Sequence, residues 1–171
     1  FVDPRLQGGK VNASAQQDLV RLLEIDGEEW LFYKCFPIHV ALLRGTTADQ
    51  NGNITMERES LTLDDLAMAQ AVKNSGGVVI VQVERLAAAG SLHPRQVVIP
   101  GILVDCVVLS IPEHHVQTYA TTYNPAFAAE IRIPTDHMEP MPLDVRKVIA
   151  RRATFELSLS AICNLGIGMP E

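Results

Sequence analysis

Apolar and polar positions alternate in short bursts at the start of the chain. After a polar loop, VDPRLQGGKVNAS, come three runs rich in β-formers: DLVRLLEID, EWLFYKCF and HVALLRGT. Asp26-Gly27 separates the first two, and that dipeptide supplies the positive φ angles of a two-residue hairpin turn. A second turn signal, Asn51-Gly52, follows the third run.

The period then lengthens. Leu63, Leu66, Ala67 and Ala71 recur at helical spacing, and Thr62 with Asp65 three residues later reads as a capping box. Ser75-Gly76-Gly77 should stop that helix. The continuous apolar run GGVVIVQV comes next, and a strand of that kind is expected to be buried on both faces of a parallel sheet. Strand, helix, buried strand is the grammar of an α/β fold.

Beyond residue 90 the periodicity weakens. Residues 91–142 carry seven of the ten prolines, and VVIPGILVDCVVL is the longest apolar run among them. Short strands are predicted there, followed by an extended connection over residues 121–142. Asp144 then opens a helix with a rough stripe of Val145, Val148 and Ile149. Ser158 to Ser160 break it, and AICNLG is predicted to start a new strand leading into GIGMP. The expected organisation is one domain over residues 1–120, a connection over 121–142, and the start of a second α/β domain over 143–171.

Composition narrows the function classes. A net charge of −6 disfavours a nucleic-acid partner, because binders of phosphate backbones concentrate Lys and Arg. Arg146, Lys147, Arg151 and Arg152 do cluster, on a predicted helix, where they read as a solvated face. The apolar runs are too short to span a bilayer, and no signal-peptide pattern opens the chain. Cys35, Cys106 and Cys163 are odd in number, far apart and set among apolar neighbours. They are expected to be buried free thiols, which points to a reducing, cytoplasmic compartment.

Local chemistry names no mechanism. Gly166-Ile167-Gly168 after a strand can bring backbone amides close to a ligand, or can simply make a tight turn; Pro170 removes one donor. Gly8-Gly9-Lys10 is similar: Lys10 could meet a carboxylate or phosphate, or the loop could be plain surface. His114 and His115 are adjacent in an extended segment and should point apart, so they do not suggest a shared metal. Glu84, at the end of the buried run, suits a site, yet an ion pair with Arg85 or Lys73 would also explain it. No Gly-x-Ser-x-Gly elbow is present, and Glu171 suits a first helical turn.

The order of motifs carries more. Arg44, Ala48, Asp49, Gly52 and Asn53 fit R-x-x-x-A-D-x-x-G-N. A helix, a buried strand ending at Glu84, and then Leu92, Pro94, Val97, Pro100, Gly101, Ile102, Val104 and Asp105 follow in register. This set resembles the α-type half of family I coenzyme A transferases. RRATFELSLSAICNLGIGMPE is similar to the beginning of the β-type half. FVDPRLQGGKVN resembles the single-chain acetate/propionate type, in which both halves are fused.

The resemblance implies an α/β fold of open, mostly parallel sheets with flanking helices, here the end of an α-type domain plus the start of a β-type domain. It implies transfer of CoA between acyl-CoA and a short-chain carboxylic acid through a glutamyl-CoA thioester, with no permanently bound cofactor and no metal. Asn164, Gly166, Ile167, Gly168 and Met169 match the loop expected to line the acyl-CoA site. Gln7, Gly8, Gly9 and Lys10 match a loop near the acyl-acid pocket. The family's glutamate belongs to a Glu-x-Gly motif further along than Glu171, so no catalytic residue is assigned here. The chain is expected to be an internal piece that works with the remainder of its polypeptide or a companion chain, as a homo-oligomer. A CoA-ester hydrolase of the same superfamily and a non-catalytic CoA-binding or assembly module are the alternatives.

Overall fold

A computed structural model describes residues 2–164. The chain divides into two units, Phe1–Glu130 and Ile131–Glu171. In the first unit, β1 (Val20–Ile25) and β2 (Glu28–Tyr33) form an antiparallel hairpin. Asp26 and Gly27 both take positive φ, 53° and 81°, so the turn is of the primed kind that matches strand twist.

The main sheet has five strands in the order β6-β4-β3-β5-β7. They are β3 (Val40–Asp49), β4 (Ile54–Thr55), β5 (Val78–Ala87), β6 (Val97–Ile99) and β7 (Cys106–Leu109). β3, β5 and β7 run parallel; β4 pairs antiparallel with β3, and β6 pairs antiparallel with β4 at the edge. The fold is therefore α/β with a mixed sheet whose central strands are parallel.

Helix α1 (Asp65–Asn74) crosses from β3 to β5 and covers one face. Ala69 and Val72 from the helix pack with Ala41, Leu43, Val79, Val81, Val83, Ile54 and Ile99, and this cluster is the core. Burial along β5 alternates instead of running continuously: Val79, Val81 and Val83 are inaccessible, while Val78 is 45% exposed. The expectation of a strand buried on both faces is thus corrected. Only the α1 side of β5 is fully covered among the described residues.

The start of α1 also differs from the capping-box reading. Leu63 adopts a left-handed φ of 41°, which breaks the helical path, so Asp64 becomes the N-cap and makes no side-chain cap bond. The helix ends at Ser75, as its glycines suggested.

In the second unit, α2 (Val145–Thr154) starts at Asp144, whose carboxylate accepts from the Lys147 amide at 2.9 Å. The apolar stripe of Val145, Val148 and Ile149 is exposed. Residues 161–164 form no strand, and the continuation of that predicted strand lies outside the described residues. All three cysteines are free, and all three are exposed rather than buried. Cys106 opens an exposed end of β7, while Cys35 and Cys163 lie in irregular exposed segments. Among the described residues, no helix is long and apolar enough to cross a membrane.

Candidate functional site

The motif running from Arg44 to Asn53 ends in a compact knot. Asp49, 4% exposed, accepts from the amides of Asn51 (3.0 Å) and Asn53 (2.9 Å) with one oxygen. Its other oxygen takes the Asn53 side-chain amide at 3.0 Å and the Gly90 amide at 3.4 Å. Asn53 Oδ1 in turn accepts from Gly101 N at 3.0 Å. The hydrogen bond from Asn53 leads in holding the Asp49 carboxyl below the ordinary carboxylate range, against a smaller upward push from burial. Two chain segments meet at this carboxylate and a third joins through Asn53, which explains the motif as scaffolding.

Asp105 does similar work at the other end of the sheet. It accepts from Val79 N at 2.8 Å and pairs with Lys73 at 2.6 Å, tying β7 to β5 and α1. Lys73 is therefore not the partner of Glu84. Neither is Arg85, which pairs with Glu57 at 2.8 Å. Glu84 pairs with Arg58 at 2.5 Å, a residue 26 positions away that strand spacing could not identify.

That pair opens onto a cleft of about 310 Å³ beside the carboxyl ends of β5 and β7, where α/β sheets present ligand sites. The Arg58 guanidinium lies 3.8 Å from the centroid of the Tyr123 ring, a cation–π stack. The Tyr123 hydroxyl donates to Glu130, and that bond keeps the phenol above its ordinary pKa. Leu109 and Pro112 supply apolar wall; Gln117 and Thr122 supply polar wall.

The cleft floor is a buried network. Glu59 accepts from Arg44 at 2.8 Å and lies 3.3 Å from His115 Nε2 and 3.4 Å from the Thr46 hydroxyl. The Gln82 side-chain amide reaches His115 Nδ1 at 3.3 Å, which leaves Nε2–H to donate to Glu59. Arg44 also donates to the carbonyl of His115 at 3.3 Å and to that of Val116. His115 is buried while His114 is exposed, so the two histidines do point apart.

Chemically, the cleft is charge-balanced and stiff: its polar groups hold one another. Ser110 Oγ donates to the Ile111 carbonyl and accepts from Gln82, with no base positioned on it. The arrangement can seat a small ligand but offers no nucleophile–base pair among the described residues.

The glycine loop lies elsewhere in the first unit. Gln7 takes a left-handed φ of 56°, and the Gly8 amide donates to the Asp3 carbonyl at 2.9 Å. Lys10 pairs with Asp18 at 3.0 Å and reaches Gln7 Oε1 at 3.3 Å. Asn164 is exposed, and Gly166, Ile167, Gly168 and Met169 lie outside the described residues. Sequence reasoning missed the Arg58–Tyr123 stack and the Glu59–His115 contact. Both join segments more than 50 positions apart, and Tyr123 sat in the stretch read as a plain connection.

A partly parallel sheet knotted at Asp49 and Asp105, with this motif order, defines a coenzyme A transferase domain. Residues 2–110 match the Coenzyme A transferase family model, and the chain belongs to that family. It is 54% identical over its whole length to the caffeate CoA-transferase of Acetobacterium woodii and 40% identical to the acetate CoA-transferase YdiF of Escherichia coli K12. The chain spans about a third of the length of these relatives, 33% and 32% respectively. The crystal structure of the Escherichia coli O157:H7 acyl-CoA transferase YdiF, as a thioester complex with CoA, superposes with a TM-score of 0.84 at 41% identity, covering 99% of this chain and 33% of that one.

Proposed function

We infer that the chain is part of an acyl-CoA:carboxylate CoA-transferase that moves CoA between carboxylic acids through a glutamyl-CoA thioester. The observation that carries this reading is the similarity, over the whole chain, to two transferases named for carboxylic acids.

In this reading, residues 1–120 belong to the α-type half, 121–142 connect, and 143–171 begin the β-type half. Gln7, Gly8, Gly9 and Lys10 border the acyl-acid pocket. Asn164, Gly166, Ile167, Gly168 and Met169 line the acyl-CoA site. The glutamate carboxylate attacks the acyl-CoA carbonyl and expels CoA thiolate, giving a mixed anhydride. The thiolate attacks the glutamyl carbonyl and releases the first carboxylate, leaving the glutamyl-CoA thioester. A second carboxylate then runs the two displacements in reverse, which forms its own acyl-CoA and frees the glutamate. CoA enters as substrate, and no permanently bound cofactor is required. Three free thiols suit a cytoplasmic setting, and the working form is a homo-oligomer.

Short-chain acids such as acetate and propionate are the proposed substrates. The 54% identity to a caffeate enzyme favours a second reading, in which a hydroxycinnamate is the acceptor. One experiment tests both. The purified protein is incubated with acetyl-CoA and either propionate or caffeate, and products are read by mass spectrometry, with a rapid-denaturation sample for a covalent CoA adduct. Appearance of propionyl-CoA or caffeoyl-CoA together with an adduct supports transfer and selects the acid. Loss of acetyl-CoA to free CoA alone would support the hydrolase, and no turnover would leave the non-catalytic module.

A further inference from the structure

The chain leaves β7 at Leu109 and does not enter the second unit until Ile131. Over this stretch it forms one short turn of 3-10 helix, Pro112–His114, so much of its backbone needs partners from elsewhere. The sheet supplies them. Gln82 donates to the His114 carbonyl at 2.9 Å, and Arg44 donates to the carbonyls of His115 and Val116. Gln117, 8% exposed, donates to the Arg58 carbonyl at 2.9 Å and accepts the Asn124 amide at 2.8 Å. Residues 121–130, expected from sequence to be part of a connection, therefore belong to a strap bolted to β3, β5 and the loop after β4.

One line of contacts reaches the end of this strap. Glu84 holds Arg58 at 2.5 Å, the Arg58 guanidinium lies 3.8 Å from the centre of the Tyr123 ring, and the Tyr123 hydroxyl donates to Glu130. Glu130 is the last residue of the first unit. Residue type matters at each step: a flat guanidinium can lie on a ring and still donate in its own plane, which the point charge of lysine cannot do. The Arg58 backbone is secured separately, by its amide on Thr46 Oγ1 at 3.0 Å and by its carbonyl on Gln117. Changing the side chain therefore leaves the loop in place.

We propose that Arg58 is a positioning residue for CoA transfer, acting through Tyr123 to fix the point at which the chain leaves the first unit. The proposal rests on the transferase reading and deepens it. In that reading the attacking glutamate comes from residues beyond this strap, and the acyl-acid loop from residues before it. Their alignment depends on how firmly the strap is anchored, because a misplacement of about 1 Å costs about a hundredfold in rate. Arg58 touches no reacting atom in this role; it sets kcat by holding the strap still.

The test uses the full-length polypeptide as wild type, Arg58→Ala, Arg58→Lys and Tyr123→Phe. CoA transfer from acetyl-CoA is measured with whichever of propionate and caffeate the wild type accepts. Hydrogen exchange of peptides from residues 114–130 and 78–87 is read on the same samples. Both arginine variants are expected to lose about tenfold or more in kcat while KM for acetyl-CoA stays within about twofold. Exchange over 114–130 should quicken by about tenfold or more, with 78–87 unchanged, which separates a loosened strap from a loosened core. Tyr123→Phe keeps the ring and its volume, so it folds even where an arginine variant fails, and its kcat should fall by about threefold. Wild-type kcat in these variants, a rise in KM alone, or unchanged exchange over 114–130 in the arginine variants would overturn the proposal. A wild type that transfers nothing overturns the transferase reading and this one with it, whereas an active wild type with unaffected variants overturns only this one.

Discussion

The Gly101 amide donates to Asn53 Oδ1 at 3.0 Å, joining residues 48 positions apart. The two segments approach so closely that a Cβ on Gly101 would lie 1.9 Å from the Asn51 carbonyl oxygen. Backbone stands on both sides of that contact, so neither can give way cheaply. Gly101→Ala is expected to cost about 2 kcal/mol or more and to lower the Tm by about 4–8 °C. Thermal unfolding followed by circular dichroism reads this directly, and an unchanged Tm would contradict the close approach.

Glu59 holds Arg44 and His115 beneath the cleft, and its side chain is 9% exposed. Glu59→Leu should destabilise by about 2 kcal/mol or more, because it removes the counter-charge of the part-buried Arg44 and leaves the buried His115 donor unpaired. Arg44→Met combined with Glu59→Leu should cost clearly less than the sum of the single changes. Urea unfolding of the four proteins closes the cycle; strict additivity would show that the pair does not interact.

Acid sensitivity follows from two carboxylates. Burial pushes Glu57 up, but hydrogen bonds from Thr47, Thr55 and Arg85 outweigh it and hold its pKa at about 2 in the folded protein. Asp49 is held low as well, chiefly by Asn53. Both are therefore ionised at neutral pH, and the stability they confer is present above their unfolded pKa values. It is lost as pH falls from about 4.5 towards about 2. The Glu57 side chain is 37% exposed, so screening limits its share to about 1 kcal/mol. Glu57→Gln should flatten the fall in urea midpoint across that window and leave the neutral-pH slope alone.

Gly8 tests the proposed acyl-acid loop. A Cβ there would lie 2.4 Å from the Val2 carbonyl carbon and 2.5 Å from the Asp3 nitrogen. Gly8→Ala must displace the loop, yet it touches none of the main core. We expect kcat/KM for CoA transfer to drop about tenfold or more while the Tm stays within about 2 °C. An unaltered kcat/KM would detach this loop from the site.

Period and turn chemistry made the elements legible. Asp26-Gly27 announced its hairpin, the alternating segment after His39 announced β3, and the Gly pair after Ser75 stopped α1. Leu63 escaped that reading, because a left-handed leucine has no local signature and moves the cap from Thr62 to Asp64. The cysteines were misjudged for a related reason: apolar neighbours in sequence do not say whether a strand end, as at Cys106, or an irregular segment, as at Cys35 and Cys163, is covered. The motif from Arg44 to Asn53 could be quoted from sequence, but its physical sense depends on Gly90 and Gly101 arriving from afar. The cleft was beyond reach for the same reason, since Arg58, Glu84 and Tyr123 share no spacing rule and meet only after β5 has paired.

The hairpin turn at Asp26 and Gly27 also has a consequence for time. Strands β1 and β2 close across two residues, so they can pair within about microseconds of synthesis or dilution from denaturant. Val40 and Val78 must instead find each other across the whole of α1, a distant closure that slows assembly. The chain thus holds an early-forming element carrying Trp30, 54% exposed, and a late-forming one. Tryptophan fluorescence should report the first event well before the amides of β5 become protected from hydrogen exchange.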